Sequence, residues 1–178
     1  AKMICHASNY GMKAPTFRVN VLQKSKGAVN LTNKQATYFL ETYHALFPEI
    51  RKWHRDTIEK LKKERMLRNL FGYPRMFTQT VEPSMFKEAY AFVPQSTVGT
   101  ITNMAFTDLY HNERIIDMGA DVIQNNHDSV LLQCKPEDAK EVCALACEAL
   151  NREMISPYGE KFKMRSEACV GNNWGEMD

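Results

Sequence analysis

Hydrophobic and polar positions follow a helical period in the first two thirds of this chain and a strand-like period later. Helical spacing covers residues 2–10. Thr32-Asn33 offers N-cap chemistry and predicts a helix over residues 34–47. Pro48 predicts the start of another helix, ending near residue 67, whereas residues 22–31 have the composition of a loop.

The second half of the chain predicts a mixture of elements. Residues 69–75 are turn-like, with short extended pieces around them, and residues 84–117 predict one long helix. Two apolar runs within residues 121–134 flank a polar tip and predict two strands joined by a turn. A helix over residues 136–154 and a strand over residues 162–170 follow. Early helices and late strands predict an α+β fold.

Composition narrows the class of protein. The 178 residues, 44% of them hydrophobic, suit one domain or a compact piece of a larger protein. No stretch approaches the roughly 20 apolar residues of a membrane span, so no membrane partner is expected. The five cysteines show no CxxC spacing, and Cys143 and Cys147 share a helical face as packing residues often do. We expect a reduced, cytoplasmic protein.

The net charge of +2 hides a basic segment. Residues 51–75 carry nine Lys or Arg against three acids, whereas the remaining residues carry 14 basic and 18 acidic side chains. A basic element on a mildly acidic body suits a phosphate-rich partner, although a solvated helix face has the same composition.

His127 and Asp128 are the first candidate site residues. A carboxylate held at a tight turn between two strands is a rigid place to bind a divalent metal ion. Surface His-Asp pairs are also common, so the dipeptide alone does not identify a site.

Two further groups carry candidate chemistry. Lys2, His6 and Tyr10, followed by Gly11, share one helical face and could contact a triphosphate, a sugar and a base. The same spacing occurs in amphipathic helices with incidental polar residues. Residues 95–99, Gln-Ser-Thr-Val-Gly, suit approach to base edges, or simple helix–helix packing.

In order and spacing, these motifs resemble family A DNA polymerases, the bacterial polymerase I group with its phage and mitochondrial relatives. The resemblance covers essentially the whole chain and is closest to a phage-type member. It rests on five segments: residues 2–11, 69–75, 95–99, 126–128 and 171–175. It implies the C-terminal part of a right-hand polymerase, with fingers over residues 1–67 and a palm with an antiparallel sheet and long helices over residues 68–178.

The resemblance also implies roles for the nucleotide-binding residues. Lys2 and Tyr10-Gly11 match the family pattern Arg-x3-Lys-x7-Tyr-Gly, in which Lys2 neutralises the phosphates of the incoming dNTP. Tyr10 packs near the nascent base pair, and Gly11 lets the backbone approach. His6 stands where the family usually has Phe or Tyr, beside the nucleotide sugar.

Other implied roles concern DNA and metal. Gln95 reads minor-groove acceptors of primer-template DNA, His127 contacts the primer terminus, and Asp128 ligates catalytic Mg²⁺ in a two-metal site. Ser129 replaces a Glu common in the family. Tyr73-Pro74 replaces basic residues, which leaves Arg75 to supply charge to the DNA.

The family's other palm aspartate lies in an Asp-Tyr-Ser-like segment that this sequence lacks. We therefore expect an upstream polymerase fragment, on a separate chain or cleaved away, to supply the second metal carboxylate. Two alternatives remain open: a non-catalytic nucleic-acid-binding module derived from a polymerase, and a His-Asp metal phosphohydrolase, which shares only the dipeptide.

Overall fold

The computed structural model describes residues 2–156 and 159–177, apart from the side chain of Lys2. Four helices begin the chain: α1 (Lys2–Asn9), α2 (Ala14–Lys24), α3 (Asn33–Leu46) and α4 (Pro48–Glu64). From the sequence alone, Gly11 and Pro15 predict a break after the first helix. Pro15 instead lies in the first turn of α2, where its missing N–H would have no helical partner anyway. The expected loop therefore begins only after Lys24.

Local capping chemistry sets the ends of α3 and α4. The Thr32 side chain accepts from the Gln35 backbone N–H, and the Gln35 side chain in turn accepts from the Thr32 backbone N–H. This reciprocal cap confirms the predicted N-terminus of α3. Helix α4 ends three residues before the predicted limit because Arg65 adopts a left-handed conformation, with φ +56°. Leu67 lies instead in a strand.

Two short strands and a long helix come next. Strands β1 (Met66–Arg68) and β2 (Pro74–Met76) form an antiparallel pair around the predicted turn. Helix α5 (Pro83–Tyr110) includes Pro94 in its interior. The helix predicted over residues 84–117 is in fact two helices, because Asn112 caps a separate one, α6 (Glu113–Asp117), by accepting from two backbone N–H groups.

The predicted hairpin is present as strands β3 (Asp121–Asn126) and β4 (Ser129–Gln133), paired antiparallel. Helix α7 (Ala139–Leu150), preceded by a 3-10 turn, ends four residues before the predicted limit. The last strands, β5 (Glu153–Ile155) and β6 (Lys161–Lys163), pair with each other.

Two predictions about these last elements were wrong. Met154 is a buried strand residue rather than the end of a helix, because it pairs with Phe162 across the β5–β6 ladder. The final strand spans three residues instead of the predicted 162–170, since the three-residue β5 offers only three ladder partners. A 3-10 turn (Trp174–Glu176) lies near the chain end.

The α+β class is confirmed, although the described strands form three separate two-stranded ladders rather than one palm sheet. The chain divides into two compact units that meet between Pro94 and Gln95, inside α5. The proposed boundary between fingers and palm at residues 67 and 68 stays a prediction. Among the described residues, no helix is long and apolar enough to cross a bilayer.

Each unit has its own apolar core. In the first unit, one core lies among α1, α2 and α3, and a second joins α4, the β1–β2 region and the start of α5. In the second unit, α7 packs with the end of α5 and with α6. Apolar side chains of the hairpin cover this core: Val122, Val130 and Leu132. The hairpin is thus anchored on the apolar core of the second unit.

Candidate active site

The predicted stripe on α1 keeps two rings together. His6 and Tyr10 lie edge to face, with ring centroids 4.6 Å apart. The His6 side chain is exposed, and Tyr10 is half-buried at the end of the helix. Lys2 begins the same helix, but its side chain lies outside the described residues.

Helix α1 ends in a Schellman closure built on Gly11. The Gly11 N–H donates to the Ser8 carbonyl at 3.2 Å, and the Met12 N–H donates to the Ala7 carbonyl at 2.8 Å. Gly11 has φ +65°, a left-handed conformation that disfavours a side chain. A Cβ built there would meet a ring carbon of Tyr90 at 3.1 Å. Glycine is therefore favoured here both by the backbone conformation and by the close approach of Tyr90.

Two other helices hold the residue just before this turn. The Tyr43 hydroxyl of α3 donates to Asn9 Oδ1 at 3.0 Å, and His54 Nε2 of α4 lies 2.8 Å from the Asn9 carbonyl oxygen. His54 also stacks on Tyr90, with centroids 4.0 Å apart and ring planes 25° apart. Burial lowers the pKa of His54 and raises the pKa of Tyr90. The end of α1 therefore rests on a small aromatic cluster.

Arg75 is engaged within the fold. It donates to Glu88 Oε2 at 2.8 Å, and its guanidinium carbon lies 4.9 Å from the centroid of the Phe77 ring. Buried Asn69 organises the preceding turn by accepting from the N–H groups of Phe71 and Tyr73, each at 3.0 Å. Arg75 therefore braces β2 against α5, and its contact with DNA stays a prediction.

Gln95 and Gly99 lie on the second-unit part of α5. The Gln95 side chain is exposed, and apart from the neighbouring residues and backbone of α5 itself, no described atom lies within 4 Å of the position of a Cβ at Gly99. Tight packing against a described neighbour, which is the alternative for this small-residue segment, is therefore not found at Gly99. Neighbouring Thr97 is buried.

The hairpin tip presents the predicted metal ligand. Asn126 pairs with Ser129, so His127 and Asp128 form a two-residue turn, and both side chains are exposed. His127 has φ +61°, in the left-handed region that costs a residue with a side chain about 1–2 kcal/mol. Such backbone strain is often found at functional sites. The Ser129 hydroxyl donates back to the Asn126 carbonyl at 3.0 Å.

A bulge in β3 changes which side chain points toward α5. The ladder pairs Val122 with Leu132 and then Gln124 with Leu131, leaving Ile123 as the extra residue. The alternation of side chains shifts by one, so Asn125 is half-buried and donates to Asn103 of α5. This bond ties the hairpin to the helix that carries Gln95.

Among the described residues, Asp128 is not part of a preformed cluster of candidate ligands. Within residues 2–156 and 159–177, no group of three or more His, Cys, Asp or Glu side chains could hold a metal ion. A metal at Asp128 would therefore need ligands other than a ready-made cluster of these side chains.

Comparison with known proteins decides the family. The family model described as DNA polymerase family A matches residues 1–176. The chain belongs to this family. Relatives of this family A chain include the thermostable DNA polymerase I of Thermus caldophilus, 28% identical over 147 residues. The alignment covers 79% of this chain and 17% of that protein.

Two further matches cover more of the family A chain. The thermostable DNA polymerase I of Thermus aquaticus is 25% identical over 180 residues, which are 98% of this chain and 20% of that protein. A solved structure, the POL domain of Pol1 from M. smegmatis in complex with DNA primer-template and dNTP, has a TM-score of 0.67 and 18% identity. It covers 84% of this chain and 26% of that one, and it shows the fold.

The family A chain thus spans about a fifth of the length of the curated relatives it matches. Membership in the family is confirmed, and the phage-type subgroup stays a prediction. His6, Tyr10 and Gly11 lie in the first unit, whereas Gln95, His127 and Asp128 lie in the second. Each of these two groups of residues therefore lies wholly within one unit.

Sequence reasoning missed the cluster that holds Asn9. Tyr43 and His54 lie 34 and 45 residues from Asn9, and no local pattern connects them. One feature of the sequence does indicate that His54 has a partner. An imidazole on the inner face of an amphipathic helix needs a hydrogen-bond partner, and His54 follows Trp53 on such a face.

Proposed function

We propose that this chain is the C-terminal part of a DNA-directed DNA polymerase, with fingers over residues 1–67 and palm over residues 68–178. The complete enzyme transfers a nucleotidyl group from a dNTP to a primer 3′-hydroxyl. The observation that carries this proposal is the exposed Asp128 at a two-residue hairpin tip, in a chain matched to DNA polymerase family A over residues 1–176.

The α1 stripe is the proposed nucleotide site. Lys2 supplies positive charge to the triphosphate, an interaction that gains strength as negative charge develops on the leaving pyrophosphate. His6 lies against the sugar, where an imidazole keeps an aromatic plane and adds hydrogen-bonding atoms. Tyr10 and Gly11 face the nascent base pair. The edge-to-face contact of His6 with Tyr10 supports a shared role, because it fixes the relative orientation of the two rings.

Primer-template DNA is the proposed macromolecular partner. Gln95 donates to minor-groove acceptors, which all four base pairs present, so it tests pair shape more than sequence. His127 contacts the primer terminus, and Arg75 contributes to the phosphate-facing surface. The M. smegmatis neighbour was solved with primer-template and dNTP, which supports both partners for this chain. Segment 51–75, with nine basic residues against three acidic ones, suits the phosphate backbone.

Asp128 is the proposed metal ligand, since polymerases of family A depend on metal ions in general. Its exposed carboxylate has the hard oxygen chemistry that Mg²⁺ prefers. Mg²⁺, when bound, supplies Lewis acidity toward the primer hydroxyl and the leaving pyrophosphate. The chain's own contribution is to hold Asp128 on a short hairpin packed on α7 and bonded to α5. We propose that an upstream fragment, as a separate chain, supplies the other carboxylate, and that the enzyme is intracellular.

Primer extension tests the proposal and separates it from a non-catalytic binding module. The isolated 178-residue chain should bind a primer-template duplex weakly and extend no primer. The same chain combined with the upstream polymerase segment should extend a primer when Mg²⁺ is added. Duplex binding by the combined protein without any extension would favour the binding module, and extension by the isolated chain would contradict the need for a second carboxylate.

A further inference from the structure

Asn9, the last residue of α1, forms hydrogen bonds with side chains from two other helices. The Tyr43 hydroxyl donates to its side-chain oxygen at 3.0 Å, and His54 Nε2 lies 2.8 Å from its main-chain oxygen. A carbonyl oxygen only accepts, so the proton of the second bond is on His54 Nε2. Three helices thus meet at one residue, and that residue immediately precedes Tyr10.

Tyr90 completes the contact surface. Its ring stacks on His54 at 4.0 Å between centroids, and its edge lies 3.1 Å from the position that a Cβ at Gly11 would take. The Tyr90 side chain is buried, and Trp53 lies 5.8 Å from it between ring centroids. The turn at Gly11 therefore rests on a ring that is itself held in place by an imidazole.

We propose that His54 and Tyr43 are positioning residues that fix the Tyr10–Gly11 end of the nucleotide-binding helix. The inference rests on the proposed function of that helix. Asn9 and Tyr10 are consecutive, so a displacement of the Asn9 carbonyl moves the backbone of Tyr10 with it. Misplacing a substrate-positioning group by about 1 Å can cost an enzyme up to 100-fold in rate.

Side-chain chemistry supports this assignment. His54 is half-buried, and burial together with Arg51 lowers its pKa, so the imidazole is neutral at physiological pH. A neutral ring with its proton on Nε2 has one donor, and that donor is used by Asn9. Tyr43 keeps its own proton because burial raises its pKa. Both groups therefore remain donors under working conditions.

Two substitutions at His54 distinguish hydrogen bonding from ring stacking, because the two roles predict opposite rankings of their effects on activity. His54→Gln keeps an N–H donor but loses the stacked ring, whereas His54→Phe keeps the ring and loses the donor. If the hydrogen bond positions the turn, His54→Phe should lower kcat/KM for dNTP by about five-fold, the value of one hydrogen bond, and His54→Gln should recover most of that loss. Tyr43→Phe should lower kcat/KM by a similar factor.

Amide hydrogen exchange gives a readout that does not need activity. In the complete polymerase, His54→Phe and Tyr43→Phe should speed exchange of the Gly11 and Met12 amides about five-fold, because these amides close the turn. Tyr38→Phe is the matched control for Tyr43→Phe, since Tyr38 is an exposed tyrosine on the same helix. His111→Phe, at an exposed histidine, is the control for His54→Phe.

Three results would overturn the proposal. In the first, exchange at Gly11 and Met12 equals that of the controls. In the second, His54→Phe matches the wild type while His54→Gln is impaired, which would assign the effect to stacking. In the third, exchange is faster but kcat/KM is unchanged. If the unsubstituted polymerase extends no primer, the proposed function fails, and the exchange data still decide whether the two bonds fix the turn.

Discussion

Replacing Gly11 with alanine should destabilise the first unit more than the same change at other left-handed glycines. Gly11 has φ +65°, which costs a residue with a Cβ about 1–2 kcal/mol. The new Cβ would also lie 3.1 Å from Tyr90 Cε2, and Tyr90 has little room to move because it is buried under His54. Overpacking of this kind costs at least about 1 kcal/mol. The expected loss in the free energy of unfolding is about 2–3 kcal/mol.

Gly27→Ala is the matched control for this prediction. Gly27 also has a left-handed backbone, with φ +87°, but no described atom outside its two chain neighbours lies within 4 Å of the added Cβ. It should therefore show the backbone cost alone, about 1–2 kcal/mol in urea unfolding. Measured against Tyr90→Leu alone, which loses the stack on His54, Gly11→Ala should cost only the backbone amount, because the ring that the Cβ meets is gone. Equal losses for Gly11→Ala and Gly27→Ala would refute the close approach of Tyr90.

Three further predictions concern the stability of the first unit. Ser8→Ala should raise the free energy of unfolding by about 1 kcal/mol, measured by urea titration, because the buried Ser8 hydroxyl has no hydrogen-bond partner among the described residues. Thr32→Ala should lower it by about 1 kcal/mol by removing the capping box, whereas a serine there should be neutral. Burial, aided by Arg51, lowers the pKa values of His44 and His54 below the 6.5 of an unfolded chain, so the unfolded state binds more protons. Stability should therefore be full above pH 6.5 and fall as the pH drops through the folded-state values; no loss between pH 7 and pH 5 would contradict both assignments.

Elements with complete local signals could be predicted from the sequence. Helix α3 was predicted to within one residue because Thr32 forms a reciprocal cap with Gln35, an interaction contained in four residues. The hairpin was predicted because apolar strand residues flank a polar two-residue tip. In both cases short-range chemistry decides the structure.

Other elements were missed because one local signal had two meanings. Pro15 indicates a break, but it equally suits the first turn of a helix. Asn112 is compatible with a continuing helix, yet its side chain caps a new one. The bulge at Ile123 in β3 is a feature of the strand pairing, which shifts by one residue between Val122 and Gln124. The alternation of apolar and polar residues in the sequence does not predict this bulge.

The candidate site divides in the same way. His6, Tyr10, Gly11 and the pair His127-Asp128 lie in short motifs, so the sequence could single them out. The partners of Asn9 come from helices far along the chain, and only the tertiary structure brings them to the end of α1. The role of Asp128 in metal binding stays a prediction, because the described residues form no cluster of three or more His, Cys, Asp or Glu side chains that could hold a metal ion.

The most direct test of the account is Mg²⁺-dependent incorporation of a single nucleotide by the complete polymerase carrying Asp128→Asn. The change keeps the size of the side chain and removes the charge, so the incorporation rate should fall by at least about 1000-fold if the carboxylate holds the catalytic metal. Binding of the primer-template duplex should stay within about two-fold. Asp117→Asn, at an exposed aspartate of the same unit, should leave both quantities unchanged. Incorporation by the Asp128→Asn enzyme at the wild-type rate would contradict the assignment of Asp128 to the active site.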